Sequence, residues 1–242
     1  MMLLLVCAGG IWFLIPNPAL SPEAIILPAN YSIKPPRVPI PDRWIPLTWG
    51  WLWRMRDALL GRLAVIDVDT RIVRLAEDSN PVLAAALSRH APLAETNGVR
   101  AWMLPDHELR ALRRQLEEIE GYEAIASPMM TSAHTVQANL SQTITVTIGD
   151  AQLPAGAILN CLTFARGKTA DLTIGITHSE AVKDSAAKAD AAVLANATHL
   201  HTNLTLAAKM RFPPGTGAFL LDMNHADPRG RRVGVFISSK VQ

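Results

Sequence analysis

Cysteine is nearly absent from this chain, with Cys7 and Cys161 the only two in 242 residues. Two thiols build no disulfide framework and cannot supply a four-cysteine zinc site, so both of those scaffold classes are excluded. Charge is scarce as well. Only 18% of residues are Asp, Glu, Lys or Arg, against about a quarter in ordinary soluble domains. The 23 basic and 21 acidic residues nearly cancel. Nucleic-acid surfaces are normally strongly basic, so this balance argues against a nucleic-acid partner. Apolar residues take the place of charge, and mean hydropathy is +0.17.

Motifs that carry chemistry are missing too. "PPGTGAF" has glycines but lacks the Lys-Ser/Thr of a phosphate-binding loop, and is better explained as a turn between strands. His199 and His201 in "HLH" fall on one side of a strand. Two imidazoles are short of the three or four ligands of a usual zinc site, which favours exposed strand histidines over a metal centre. Asp67 and Asp69 in "IDVDT" share a strand face, but no nucleophile or further ligand accompanies them, and they are expected to be solvated. His134, His178 and His225 have no motif spacing. The expectation is a non-enzyme with no catalytic, cofactor-binding or metal residue and no cofactor; a metal-dependent activity at His199 and His201 is the rival.

Residues 1–15, "MMLLLVCAGGIWFLI", are apolar throughout. A membrane-spanning helix needs about 20 such residues, so this run suits an export signal or anchor, although no basic residue precedes it and no clean cleavage site follows. A buried apolar N-terminal segment is the alternative. Residues 16–46 are proline-rich and are expected to form an extended linker. Residues 47–103 form a small helix and strand region. Its helix over 51–63 carries Trp51 and Trp53 followed by Arg54, Arg56 and Arg62. That pairing suits a membrane interface, or a helix packed on its own domain. A strand over 64–76 and a short helix capped by Ser79 or Asn80, with Pro81 in its first turn, complete the region.

In "LPDHELRALRRQLEEIEG", Leu109, Leu112, Leu116 and Ile119 recur at helical spacing, Asp106 is placed to cap and Gly121 to stop the helix. Arg110, Arg113, Arg114, Glu117 and Glu118 form its solvated face. Beyond it the period becomes two. Ile144, Val146 and Ile148 alternate with Thr143, Thr145 and Thr147; Leu172, Ile174 and Ile176 alternate with Thr173 and Thr177; Leu204, Leu206, Ala208, Met210 and Phe212 share one side. Such strands form an antiparallel sheet wet on one face, and a wall facing an aqueous lumen alternates in the same way. Residues 179–197 are Ala-rich and favour a helix capped by Ser179, with a low-complexity excursion as the competing view.

Four pieces in succession resemble the secretin family, the ring-forming outer-membrane channel subunits of secretion and pilus machines. Leu104 and Asp106 match the start of the family's helix, Ile125-Ala126-Ser127-Pro128 sits where its "LSAP" occurs, Thr131 falls among the threonines that follow, and the strand ends at Gly149. "GAILNCLTFARGKTADLTIGIT" is similar to its two-strand hairpin, and "LTLAAKMRFPPGTGAFLLD" to its last hairpin with Pro214-Gly215 at the turn. "RRVGVFISSKVQ" is similar to its terminal strand. The family's paired glycines are replaced by "LLDM", and its terminal proline by Ser238 or Ser239.

The resemblance covers 104–242 and implies an α+β fold, with short N-terminal helices and one amphipathic helix packed on antiparallel β-hairpins of a secretin-like module. It further implies a homo-oligomeric subunit of a type II or III secretion channel, or a degenerate relative. Other secretion or envelope proteins and membrane lipid would be its partners, in the outer membrane or periplasm. The alternative is a membrane-anchored periplasmic scaffold that forms no pore.

Overall fold

The computed structural model describes residues 21–28, 31, 33, 64–96, 98–133, 136–148, 151–166, 168–182, 199–226 and 230–242. The apolar run at 1–15 and the Trp/Arg segment at 51–63 lie outside these residues, as does most of the Ala-rich 179–197.

Two antiparallel sheets and two short helices make up the described chain, an α+β architecture. Strand β1 is Glu23–Leu27 and β2 is Val65–Leu75; a short 3-10 turn, Glu77–Ser79, leads into helix α1, Asn80–Leu87. Strands β3 (Ala94–Thr96) and β4 (Val99–Pro105) precede helix α2, Asp106–Glu117. Eight strand segments follow: β5 (Glu123–Ala126), β6 (Met129–Ala133), β7 (Gln137–Ile148), β8 (Ala151–Arg166), β9 (Thr169–Val182), β10 (His199–Phe212), β11 (Thr216–Ala226) and β12 (Arg232–Val241). A five-stranded sheet runs β1-β10-β9-β8-β7, and a seven-stranded sheet runs β3-β4-β11-β12-β2-β5, with β6 also paired to β2. Strands of the 64–103 stretch therefore share a sheet with the last two strands of the chain.

Binary patterning sets the layers. The alternating apolar residues of β8, β9 and β10, among them Leu159, Ile174 and Leu206, meet Ile66, Val68, Val235 and Ile237 of the seven-stranded sheet in one core. The opposite face of that sheet presents Val73, Leu75, Phe219 and Phe236 to Leu83 and Leu87 of α1 and Leu109, Leu112 and Leu116 of α2. The order is helices, seven-stranded sheet, five-stranded sheet. Each wholly buried leucine or isoleucine contributes about 1.5–3 kcal/mol, and the predicted helical spacing of Leu109, Leu112 and Leu116 is the spacing that buries them.

Several local expectations are corrected. Asp106 is the first helical residue of α2 and its side chain makes no capping bond. Its backbone N–H is held instead by Gly215 O at 2.9 Å, a partner brought in by the tertiary fold. Ser79 stands at the N-cap position of α1 without a side-chain bond, because the 3-10 turn before it already has helical backbone. Pro213-Pro214-Gly215 is not a hairpin turn: β10 belongs to one sheet and β11 to the other, so this is a corner between layers. Two successive prolines without N–H groups suit a point where strand pairing stops. Ser179 lies within β9 and caps nothing. In the proline-rich stretch, Glu23–Leu27 falls between Pro22 and Pro28, keeps all its N–H groups and pairs with β10.

Candidate functional site

The four long strands of the five-stranded sheet run 12, 16, 14 and 14 residues in β7 to β10, against a usual length of about 5–6. β7 pairs with β8 through all its residues, from Gln137↔Leu162 to Ile148↔Ala151. Among the described residues its other edge has no strand partner. "QANLSQTITVTI" contains neither charge nor proline, the two devices by which edge strands usually discourage pairing. At the far side of the sheet β1 covers β10 only over Ala207–Arg211, and among the described residues 199–206 have no partner there.

The free face of this sheet is polar: Asn139, Ser141, Thr145, Thr147, Thr205 and Lys209 are exposed on it. The covered face stays apolar past the end of the main core. There Ile144 is 52% exposed and Leu153 37%, while Val146 and Ala155 form a small separate cluster with Ile148, Ala181 and Leu200. Gly156 marks the transition, with φ +130° and no room for a side chain, since a Cβ would lie 2.2 Å from Gln142 O.

A charged cluster bridges the two sheets near the same level. Arg74 of β2 is buried; its Nη1 donates to Glu123 of β5 at 2.7 Å, and its Nη2 donates to Glu180 of β9. Arg231 donates to the same Glu123 carboxylate at 2.9 Å. His178, buried on β9, has Nε2 4.0 Å from Glu180, and its Nδ1 has no hydrogen-bond partner. Burial opposes the charge on Arg74, but its bonds to Glu180 and Glu123 outweigh it and raise the pKa. Burial likewise opposes the Glu180 carboxylate, and the hydrogen bond from Arg74 more than offsets it, leaving the pKa lowered. Burial pushes the His178 pKa down. The cluster is thus a neutral imidazole beside an ionised Arg–Glu pair. It ties layers together and presents no nucleophile. Burial pushes the Cys161 thiol up to about 12, which removes it as one.

Of the residues singled out in the sequence, Asp67 and Asp69 do share a face of β2. Asp67 accepts from Thr131 at 2.7 Å and from Gln242. They floor an open groove of about 1100 Å³ between α2 and the ends of β2, β6 and β12, with Arg110, Arg113 and Lys240 also around it. Its mixed charges converge on no reaction geometry. His201 is exposed on β10; the side chains of His199 and His225, and the whole of His134, lie outside what is described. Among the described residues no three His, Cys, Asp or Glu side chains converge on a metal position. The Arg74–Glu180 bridge went unread in the sequence. Its signal was an arginine inside "IVRLA", otherwise apolar, together with a glutamate directly after the buried stretch of β9.

Among solved structures the chain is similar to ExeD of Aeromonas hydrophila at 13% identity, over 79% of this chain and 51% of that one, with a TM-score of 0.39. It is similar to the type II secretion system secretin GspD of E. coli K12 at 12% identity, over 79% and 53%, with a TM-score of 0.33. It is also similar to the InvG secretin domain β-barrel from the Salmonella SPI-1 injectisome at 12% identity, over 74% and 58%, with a TM-score of 0.30. The chain spans roughly half the length of these structures. No protein-family model and no curated protein matches it.

Proposed function

We propose that the chain is a secretin-like subunit of an oligomeric channel in a bacterial cell envelope. The observation that carries this is a sheet of long strands whose uncharged β7 edge has no strand partner among the described residues and whose β10 edge is left open by β1 over 199–206. β7 to β10 alternate in direction through three antiparallel steps, so β7 and β10 are themselves antiparallel. Head-to-tail repetition about a rotation axis sets β7 of one copy antiparallel to β10 of the next and continues the sheet without a break. Closure satisfies the backbone groups that lipid cannot.

In such a ring the Thr-rich face lines water, and the strand ends carrying Ile144 and Leu153 meet lipid or a neighbour. Among the described residues no helix is long and apolar enough to cross a membrane. Strands of 12–16 residues exceed the roughly 9–11 that a tilted transmembrane strand needs. The partners in this reading are further copies of the chain, membrane lipid and other envelope proteins of a secretion machine, at the outer membrane or periplasm.

A second reading, an anchored envelope scaffold without a pore, is favoured by β1, which occupies part of the β10 edge. Membrane fractionation followed by gels of unboiled and boiled samples separates the two. The channel reading expects a large species in the outer-membrane fraction that collapses on strong heating to the 26.3 kDa chain. Monomer in every lane, held only through its N-terminus, would remove the channel and leave the scaffold.

A further inference from the structure

We propose that β1 is a displaceable stand-in, within the same chain, for the β7 strand of a neighbouring copy. The proposal rests on the ring reading above and names how that ring is held in check. β1 pairs with β10 in the register Ala24↔Met210 and Ile26↔Ala208, and these two side chains pack against the core between the sheets. β7 repeats the pattern: Ala138 and Leu140 occupy alternate positions on the same face of the sheet, paired to Cys161 and Leu159 of that core. Both strands run antiparallel to β10 when the copies repeat head to tail. Superimposing Ala138 on the place of Ala24 sets Leu140 opposite Ala208, and four residues further along each strand it brings the exposed Ile144 level with Leu204.

The exchange is favourable because the incoming strand is longer. β1 offers five residues, whereas β7 offers twelve and reaches into 199–206, which β1 leaves open. β1 is held by its short ladder and by Glu23, half exposed, which accepts from Arg211 at 2.9 Å while Arg211 also donates to Asp171. Further along the same segment, Ile33 lies on the free face of the sheet and reaches a side chain of β7. Ile33 lies over Gly175, where a Cβ would come within 3.3 Å of its Cδ1, and Gln137 of β7 donates to Ile33 O at 3.2 Å. Described residues of one N-terminal strap therefore touch β10 and the Gln137 side chain of β7, and release of β1 frees the β10 edge for a second copy.

The test locks the strap. Ile25 and Lys209 are direct partners in the ladder and both are exposed. The variant Ile25→Cys/Lys209→Cys, made with Cys7→Ser, is purified as monomer and divided. One half is joined by a short thiol cross-linker, and both halves are then offered lipid vesicles. The proposal expects the unlinked half to give the heat-sensitive large species, the linked half to lose it, and Glu23→Lys in the otherwise natural chain to increase it. Equal assembly with and without the cross-link would overturn the strap as a barrier while leaving the ring intact. If the natural chain, the unlinked variant and Glu23→Lys all stay monomeric in vesicles, the ring reading falls and the strap proposal falls with it.

Discussion

Arg74 is the residue on which the contact between the layers turns. It sits in β2, yet its guanidinium is shared between Glu123 of its own sheet and Glu180 of the other. Replacing it by leucine takes the arginine from Glu180 and leaves Glu123 paired with Arg231. Glu123 and Glu180 retain 50% and 37% exposure, so water compensates in part. The expected loss is about 1–3 kcal/mol, below the cost of breaking a wholly buried pair, and urea titration of Arg74→Leu checks it. The pH dependence has a defined sign. His178 has its pKa depressed below the ordinary 6.5, so below that pH the unfolded chain binds a proton that the fold resists. Stability is complete above this value and falls as pH drops. Glu180, depressed below the ordinary 4.5, adds a second loss at lower pH. Denaturation midpoints measured from about pH 8 to 2 should fall in both windows, and His178→Gln should flatten the first limb. None of this was legible in sequence, because 106 residues separate Arg74 from Glu180.

At the scale of elements, α2 was readable since its code is local. Leu109, Leu112 and Leu116 are spaced for one face, and all three are buried. Leu112→Ala removes a side chain packed between α2 and the seven-stranded sheet and should cost about 2–5 kcal/mol, measured by thermal or urea unfolding. The start of the same helix differs from the expected one because Pro105 holds the N-cap position, so Asp106, which has the chemistry of a cap, is already helical and its own N–H donates to Gly215 O. β-hairpin β7–β8 depends on Gly156. Gly156→Ala places a Cβ against Gln142 O in a backbone conformation L-residues avoid, and a drop in midpoint together with lost hydrogen-exchange protection in 142–157 is expected. The alternation in β7, β9 and β10 announced which residues face the core. It could not announce that β10 and β11 part company at Pro213-Pro214-Gly215, since a hairpin turn and a corner between sheets use the same residue types.

At the scale of the whole molecule, assembly through open edges makes a prediction that a monomeric sandwich does not. Ile144 is 52% exposed in the single chain, so Ile144→Lys should alter its stability by no more than about 0.5 kcal/mol. In a ring the same lysine faces the neighbouring β10 and should abolish the large species on unboiled gels, because an inward-pointing charge on an edge blocks pairing. Unchanged assembly of Ile144→Lys would count against β7 as the contact strand.

The sequence by itself determined the class of fold, the amphipathic face of α2 and the apolar and polar faces of the long strands. Those properties depend on residues two to four apart, and local periodicity encodes them. Only the tertiary structure decided how the twelve strands of the described residues divide into two sheets, which edges among them stay open, and that an arginine, two glutamates and a histidine meet between the layers. Strand pairing is made by backbone groups that every residue carries alike, so the choice of partner is set by the burial of whole faces rather than by any short motif.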